Sequence, residues 1–160
     1  MKIILNPGDK DPYHGVSGLI ESIEERLGEL NINYLTLPID SEIIDKVKMI
    51  NKMSKTENLL LLTLESQAEN WSVNVARNAD GRSRALAQIL AMSAEKRSSL
   101  EIIKPRLRDV MYWEKKIPIC INTSCPSVLI KNQISGNMWD LEETIVEGIC
   151  NYLGIQYENN

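Results

Sequence analysis

The stretch Pro126-Ser-Val-Leu-Ile-Lys131-Asn-Gln-Ile-Ser-Gly-Asn137-Met-Trp-Asp140 decides how this chain is read. It opens with a short apolar run, Pro126 to Ile130, and breaks at Lys131. A polar turn holding Gly136 and Asn137 follows, and then an amphipathic run. Open α/β sheets present their chemistry on buried strands that end in a charged residue beside a turn, because ligands collect outside the carboxyl ends of the strands. Lys131 is therefore a candidate functional residue, and its neighbours should be alternating strands and helices.

Working outward, Trp139 to Leu153 sets Leu141, Ile145, Ile149 and Leu153 on one helical stripe, with Gly154 as the C-cap. On the other side, Val128 to Ile130 and Ile117 to Ile121 read as strands. Residues 100–115 fit either a helix from Arg106 to Lys115 or a loop with an edge strand. Ser83 to Ser98, rich in Ala, Leu, Met and Arg, predicts a helix after the turn Asp80-Gly81. Trp71 to Val75 alternates as a half-buried strand does. Leu59-Leu-Leu-Leu-Thr-Leu64 is the most apolar run; it is too short for a helix and predicts a central strand buried on both faces, ending at Glu65. Before it come a helix capped by Asp40 or Ser41, with Ile43, Ile44, Val47 and Ile50 periodic, and a strand from Tyr34 to Leu37. A helix from about residue 18 to 30, entered through Ser17 or Gly18, carries Leu19, Ile20, Ile23, Leu27 and Leu30 on one face. Lys2 to Asn6 is a first strand, stopped by Pro7-Gly8. The alternation predicts a three-layer α/β fold with a mostly parallel or mixed sheet. The length, 160 residues, fits one domain over 1–160.

Composition narrows the function. Phe is absent and aromatics make up 5%, so Leu, Ile, Val, Ala and Met must fill the core. A net charge of −4 supplies no basic field for nucleic acid. The first apolar run, Ile3 to Leu5, is far shorter than an export signal, and no window is apolar enough to span a membrane, so a cytoplasmic location is the default expectation. Cys120, Cys125 and Cys150 are odd in number and lack Cys-x-x-Cys spacing, which points to reduced thiols. No Gly-x-Ser-x-Gly elbow and no Gly-rich phosphate loop is present.

Three segments, in order and spacing, carry a resemblance. Leu62-Thr-Leu-Glu-Ser-Gln-Ala68 is similar to a strand ending Ser-x-His-x-Asn-Ala. Ser83-Arg-Ala-Leu-Ala-Gln-Ile89 is similar to a helix start Ser-x-x-Leu-Ala-x-x-Ile. The stretch from Pro126 to Asp140 is similar to Pro-Ala-Val-Leu-Val-Glu-x-Gly-Phe-x-x-Asn-x-x-Asp. Together they resemble the zinc-dependent N-acetylmuramoyl-L-alanine amidases with a Gly-His-Gly-Gly loop, which cut between muramic acid and the peptide stem of the bacterial cell wall. The resemblance covers nearly the whole chain.

That family's chemistry needs three protein ligands on zinc and a carboxylate that activates the bound water. The resemblance puts the first histidine ligand on Asp9, followed by a matching Asp11-Pro12, and the glutamate ligand on Glu21. It puts the second histidine on Glu65 and the catalytic glutamate on Lys131. Both imidazoles are gone and the base has reversed its charge, so the resemblance implies a degenerate site. Asp9, Glu21 and Glu65 with Lys131 leave two negative charges over. One hard divalent cation, Mg²⁺ or Ca²⁺ rather than zinc, would balance them. Alternatively Lys131 is itself the counter-charge in a salt-bridged cluster. Carboxylates around Lys131 would keep it protonated, which argues against a base or Schiff-base role. His14, the only histidine, could supply one imidazole for zinc or stand in an exposed loop. Trp71, Trp113 and Trp139 are either core fillers or sugar-stacking surfaces, with Trp139 the candidate for a cleft rim. The expected role is a binding or structural module, toward peptidoglycan or within a protein assembly. An active metal-dependent hydrolase and an unrelated α/β scaffold are the rivals.

Overall fold

The computed structural model describes residues 1–8, 15–67, 71–76, 79–96, 118–133 and 138–158. The elements in order are β1 (Lys2–Pro7), α1 (Gly15–Glu29), β2 (Tyr34–Thr36), α2 (Ile43–Met53) and β3 (Leu59–Gln67). They continue with β4 (Ser72–Asn74), α3 (Gly81–Glu95), α4 (Pro118–Asn122), β5 (Ser127–Gln133) and α5 (Met138–Leu153). Among the described residues, five strands form one sheet in the order β2-β1-β3-β5-β4. All neighbours are parallel except β4, which runs antiparallel to β5. The expected α/β architecture with a mixed sheet is what forms.

Strand alternation builds two cores, one on each sheet face. Leu60, Leu62 and Leu64 of β3, with Ile3, Leu5, Val128 and Ile130, pack under α1, α3 and α5. Leu59 and Leu61, with Ile4 and Leu129, pack under α2 and α4. Each fully buried Leu or Ile contributes about 1.5–3 kcal/mol relative to exposure, so the apolar run of β3 anchors both layers at once.

Helix ends follow local chemistry. α1 stops in a Schellman motif: Asn31 takes φ 55°, Ile32 N–H donates to Leu27 O at 2.9 Å and Asn31 N–H to Gly28 O at 3.0 Å. α5 ends the same way, with Gly154 at φ 70° and Ile155 N–H donating to Cys150 O at 2.9 Å. Beyond it, the Tyr157 hydroxyl donates to Glu143 Oε2 at 2.7 Å and accepts from Arg26 Nη2 at 3.1 Å, which ties the chain end to α1 and α5. Asp80 caps α3 by accepting from Ser83 N–H and Ser83 Oγ, both at 2.8 Å. α3 therefore starts at Gly81, ahead of the expected Ser83.

Several expectations are corrected. Ile117 to Ile121 is not a strand: Pro118–Asn122 is a helix. Pro118 has no N–H to give a ladder and its fixed φ suits a first helical position. Its Ile119 and Cys120 close the core beneath α2. β3 and β5 do not end at Glu65 and Lys131, since parallel pairing continues through Ser66↔Asn132 and Gln67↔Gln133. α1 begins at Gly15 rather than near residue 18. At α2 the N-cap is Glu42, without a side-chain cap bond, in place of Asp40 or Ser41. The stripe on α2 is also rotated: Ile43 and Ile44 are 41% and 63% exposed, whereas Lys46 and Ile50 are buried. The segment 100–115 and Trp113 lie outside the described residues.

Candidate functional site

Three strand ends meet on the α2/α4 face of the sheet. Alternation places Asn6 of β1, Thr63 and Glu65 of β3 and Lys131 of β5 on that face, next to Ile4, Leu61 and Leu129. Register sets Asn6 opposite Thr63 and Glu65 opposite Lys131. Lys131 Nζ stands 3.4 Å from Glu65 Oε2, with side-chain exposures of 9% and 19%.

The approach of β1 is tight here. Gly8 N–H donates to Leu64 O at 2.7 Å. A Cβ on Gly8 would lie 2.3 Å from Glu65 Cγ and 2.8 Å from Leu64 O. Glycine is required because the backbone past Pro7 runs directly against the β3 carboxylate.

A second polar chain runs beside the ion pair. Lys46 of α2 is buried and donates to Asn6 Oδ1 at 3.1 Å and to Pro7 O at 3.5 Å. Asn6 Nδ2 donates to Thr63 Oγ1 at 3.2 Å, which also accepts from Cys120 Sγ at 3.9 Å. Burial pushes the Cys120 thiol up to about 12, and the nearby Glu65 charge adds to the rise. The thiol therefore stays protonated at neutral pH and is a donor, not a nucleophile.

The predicted site residues divide. Glu65 and Lys131 come together as register partners. Glu21 stands exposed on α1, away from the buried stripe of Val16, Leu19, Ile20, Ile23 and Leu27. Asp9 and His14 lie outside the described residues. Trp139 is 60% exposed at the first turn of α5, beside the exposed Met138, whereas Trp71 is buried in the core. Among the described residues, no three His, Cys, Asp or Glu side chains gather as metal ligands would. The described donors also suit zinc poorly, since the Glu65 carboxylate faces an ammonium.

Sequence reasoning missed Lys46, Asn6 and Thr63. The available signal was a polar residue inside each of two apolar strands, together with a second stripe on α2, Lys46-Ile50-Met53, that shares Ile50 with the apolar one.

No family model and no curated protein sequence matches this chain. Solved structures do match. The N-acetylmuramoyl-L-alanine amidase AmiC2 of Nostoc punctiforme superposes with a TM-score of 0.71 at 12% identity, covering 96% of this chain and 97% of that one. The N-acetylmuramoyl-L-alanine amidase from Clostridium difficile 630 gives 0.68 at 16% identity, covering 96% of each chain. This chain has the amidase fold. A bacteriophage poly-gamma-glutamate hydrolase shares it more loosely, with a TM-score of 0.58 at 13% identity, over 96% of this chain and 85% of that one. Among the described residues, no helix of this amidase-fold chain is long and apolar enough to cross a membrane.

Proposed function

We propose that this chain is a non-hydrolysing, amidase-like module that binds peptidoglycan. The observation that carries the reading is the Glu65–Lys131 pair at 3.4 Å. It occupies the two positions where the resemblance expects a zinc ligand and the water-activating carboxylate. An ammonium there neither holds zinc nor takes a proton from water, and losing either function removes several kcal/mol of transition-state stabilisation. The fold survives the loss because its two apolar cores do not depend on the site. Trp139, exposed at the start of α5, offers a ring face to a sugar.

The test is co-sedimentation with insoluble peptidoglycan, run beside a dye-release hydrolysis assay and a zinc determination. The expected result is retention without dye release or stoichiometric zinc, with Trp139→Ala weakening retention about tenfold, as loss of one aromatic contact would. Stoichiometric zinc with peptidoglycan cleavage that is lost in Glu65→Ala would establish the hydrolase instead. Absence of retention would leave a role within a protein assembly.

A further inference from the structure

Burying a lysine is costly unless its charge is met by well-placed oxygens. α2 nevertheless turns Lys46 inward, to 5% exposure, and leaves Ile43 and Ile44 largely outside. The orientation is explained by what Lys46 reaches, Asn6 Oδ1 at 3.1 Å and the Pro7 carbonyl at 3.5 Å. Neutral side-chain and backbone oxygens of this kind are among the ligands a hard divalent cation selects. Asn6 connects to Thr63 at 3.2 Å. Thr63 stands two residues before Glu65 on the same face of β3, about 7 Å along the strand. Two ammoniums, from α2 and from β5, thus meet oxygens at the neighbouring ends of β1 and β3.

Building on the reading above, we infer that Lys46 acts with Lys131 as an internal cation that sets the ion selectivity of these strand ends. Lys46 engages the β1 oxygens and Lys131 the β3 carboxylate, so together they supply from within the charge that a divalent ion would bring. Replacing Lys131 alone then leaves the β1 oxygens engaged and the strand ends partly neutralised. Removing both charges opens an oxygen-lined site for a hard ion.

Calorimetric and electron-spin-resonance titration of the full chain with Mn²⁺ tests this. The wild type and Lys131→Glu should show no tight uptake. Lys46→Gln/Lys131→Glu should take up one ion per chain at least a hundredfold more tightly than Lys131→Glu. Equal affinity in these two variants, both folded by circular dichroism, overturns the inference while leaving the non-hydrolysing reading intact. If that double variant does not fold, Lys46→Met/Lys131→Gln compared with Lys131→Gln decides in its place: a tenfold gain in Mn²⁺ affinity supports the inference, and no gain overturns it. A wild type that carries stoichiometric zinc and cleaves peptidoglycan overturns both.

Discussion

Lys131→Met should destabilise the fold measurably, because it removes the ammonium that faces Glu65. At 3.4 Å the pair's Coulomb attraction is about 5 kcal/mol at an effective dielectric of about 20. The desolvation of both groups offsets much of that, so the pair's net worth is small, whereas removing one partner of a buried pair costs about 3–5 kcal/mol. Glu65 keeps 19% side-chain exposure, so water repays part of the loss and about 2–3 kcal/mol remains. At about 2–4 °C per kcal/mol for a chain of this size, Tm should fall by about 4–12 °C. Lys131→Met/Glu65→Leu removes both charges and should recover most of the loss, giving a coupling energy of about 1.5–3 kcal/mol. Urea titration and scanning calorimetry at pH 7 measure all four members of the cycle. A Tm change below about 1 °C in Lys131→Met, or single losses that simply add in the double variant, would refute the pairing argument.

Three further outcomes are expected. Gly8→Ala should cost about 1–3 kcal/mol in urea midpoint analysis, because its Cβ meets the fixed Leu64 carbonyl at 2.8 Å as well as the Glu65 side chain; wild-type stability would contradict the close approach. Burial, together with its bond to Glu143, pushes the Tyr157 hydroxyl up to about 12, against an ordinary 10.0. The folded state thus holds that proton longer than the unfolded chain does, so the group's contribution is full below pH 10 and fades as pH rises toward 12. The stability gap between wild type and Tyr157→Phe should therefore be level up to about pH 10 and narrow between 10 and 12; a gap independent of pH would refute the assignment. Burial raises the thiols of Cys120, Cys125 and Cys150. Iodoacetamide at pH 8 should label them only after denaturation, and mass spectrometry would expose any fast native labelling.

Much of the fold was legible because its signals are local. The apolar run Leu59 to Leu64 and the stripes of Leu19-Ile20-Ile23-Leu27 and Leu141-Ile145-Ile149 each belong to one segment, and each packs as read. Ile117 to Ile121 misled because isoleucines spaced two apart look like a strand, while Pro118 specifies a helix start. Of the site, Glu65 and Lys131 could be placed because both stand at the polar end of an apolar run. Glu21 could not, since sequence shows only that a carboxylate occurs in the helix, not which side of it the core will cover.

By itself, then, the sequence determined the alternating strands and helices and the two-sided burial of β3. Only the tertiary structure decided that Glu65 and Lys131 are register partners and that α2 turns Lys46, not Ile43 and Ile44, toward the sheet. The reason is physical. Two overlapping stripes on α2 share Ile50, and the choice between them depends on oxygens of Asn6 and Pro7, 40 and 39 residues away along the chain, which only the folded sheet brings within reach of that lysine.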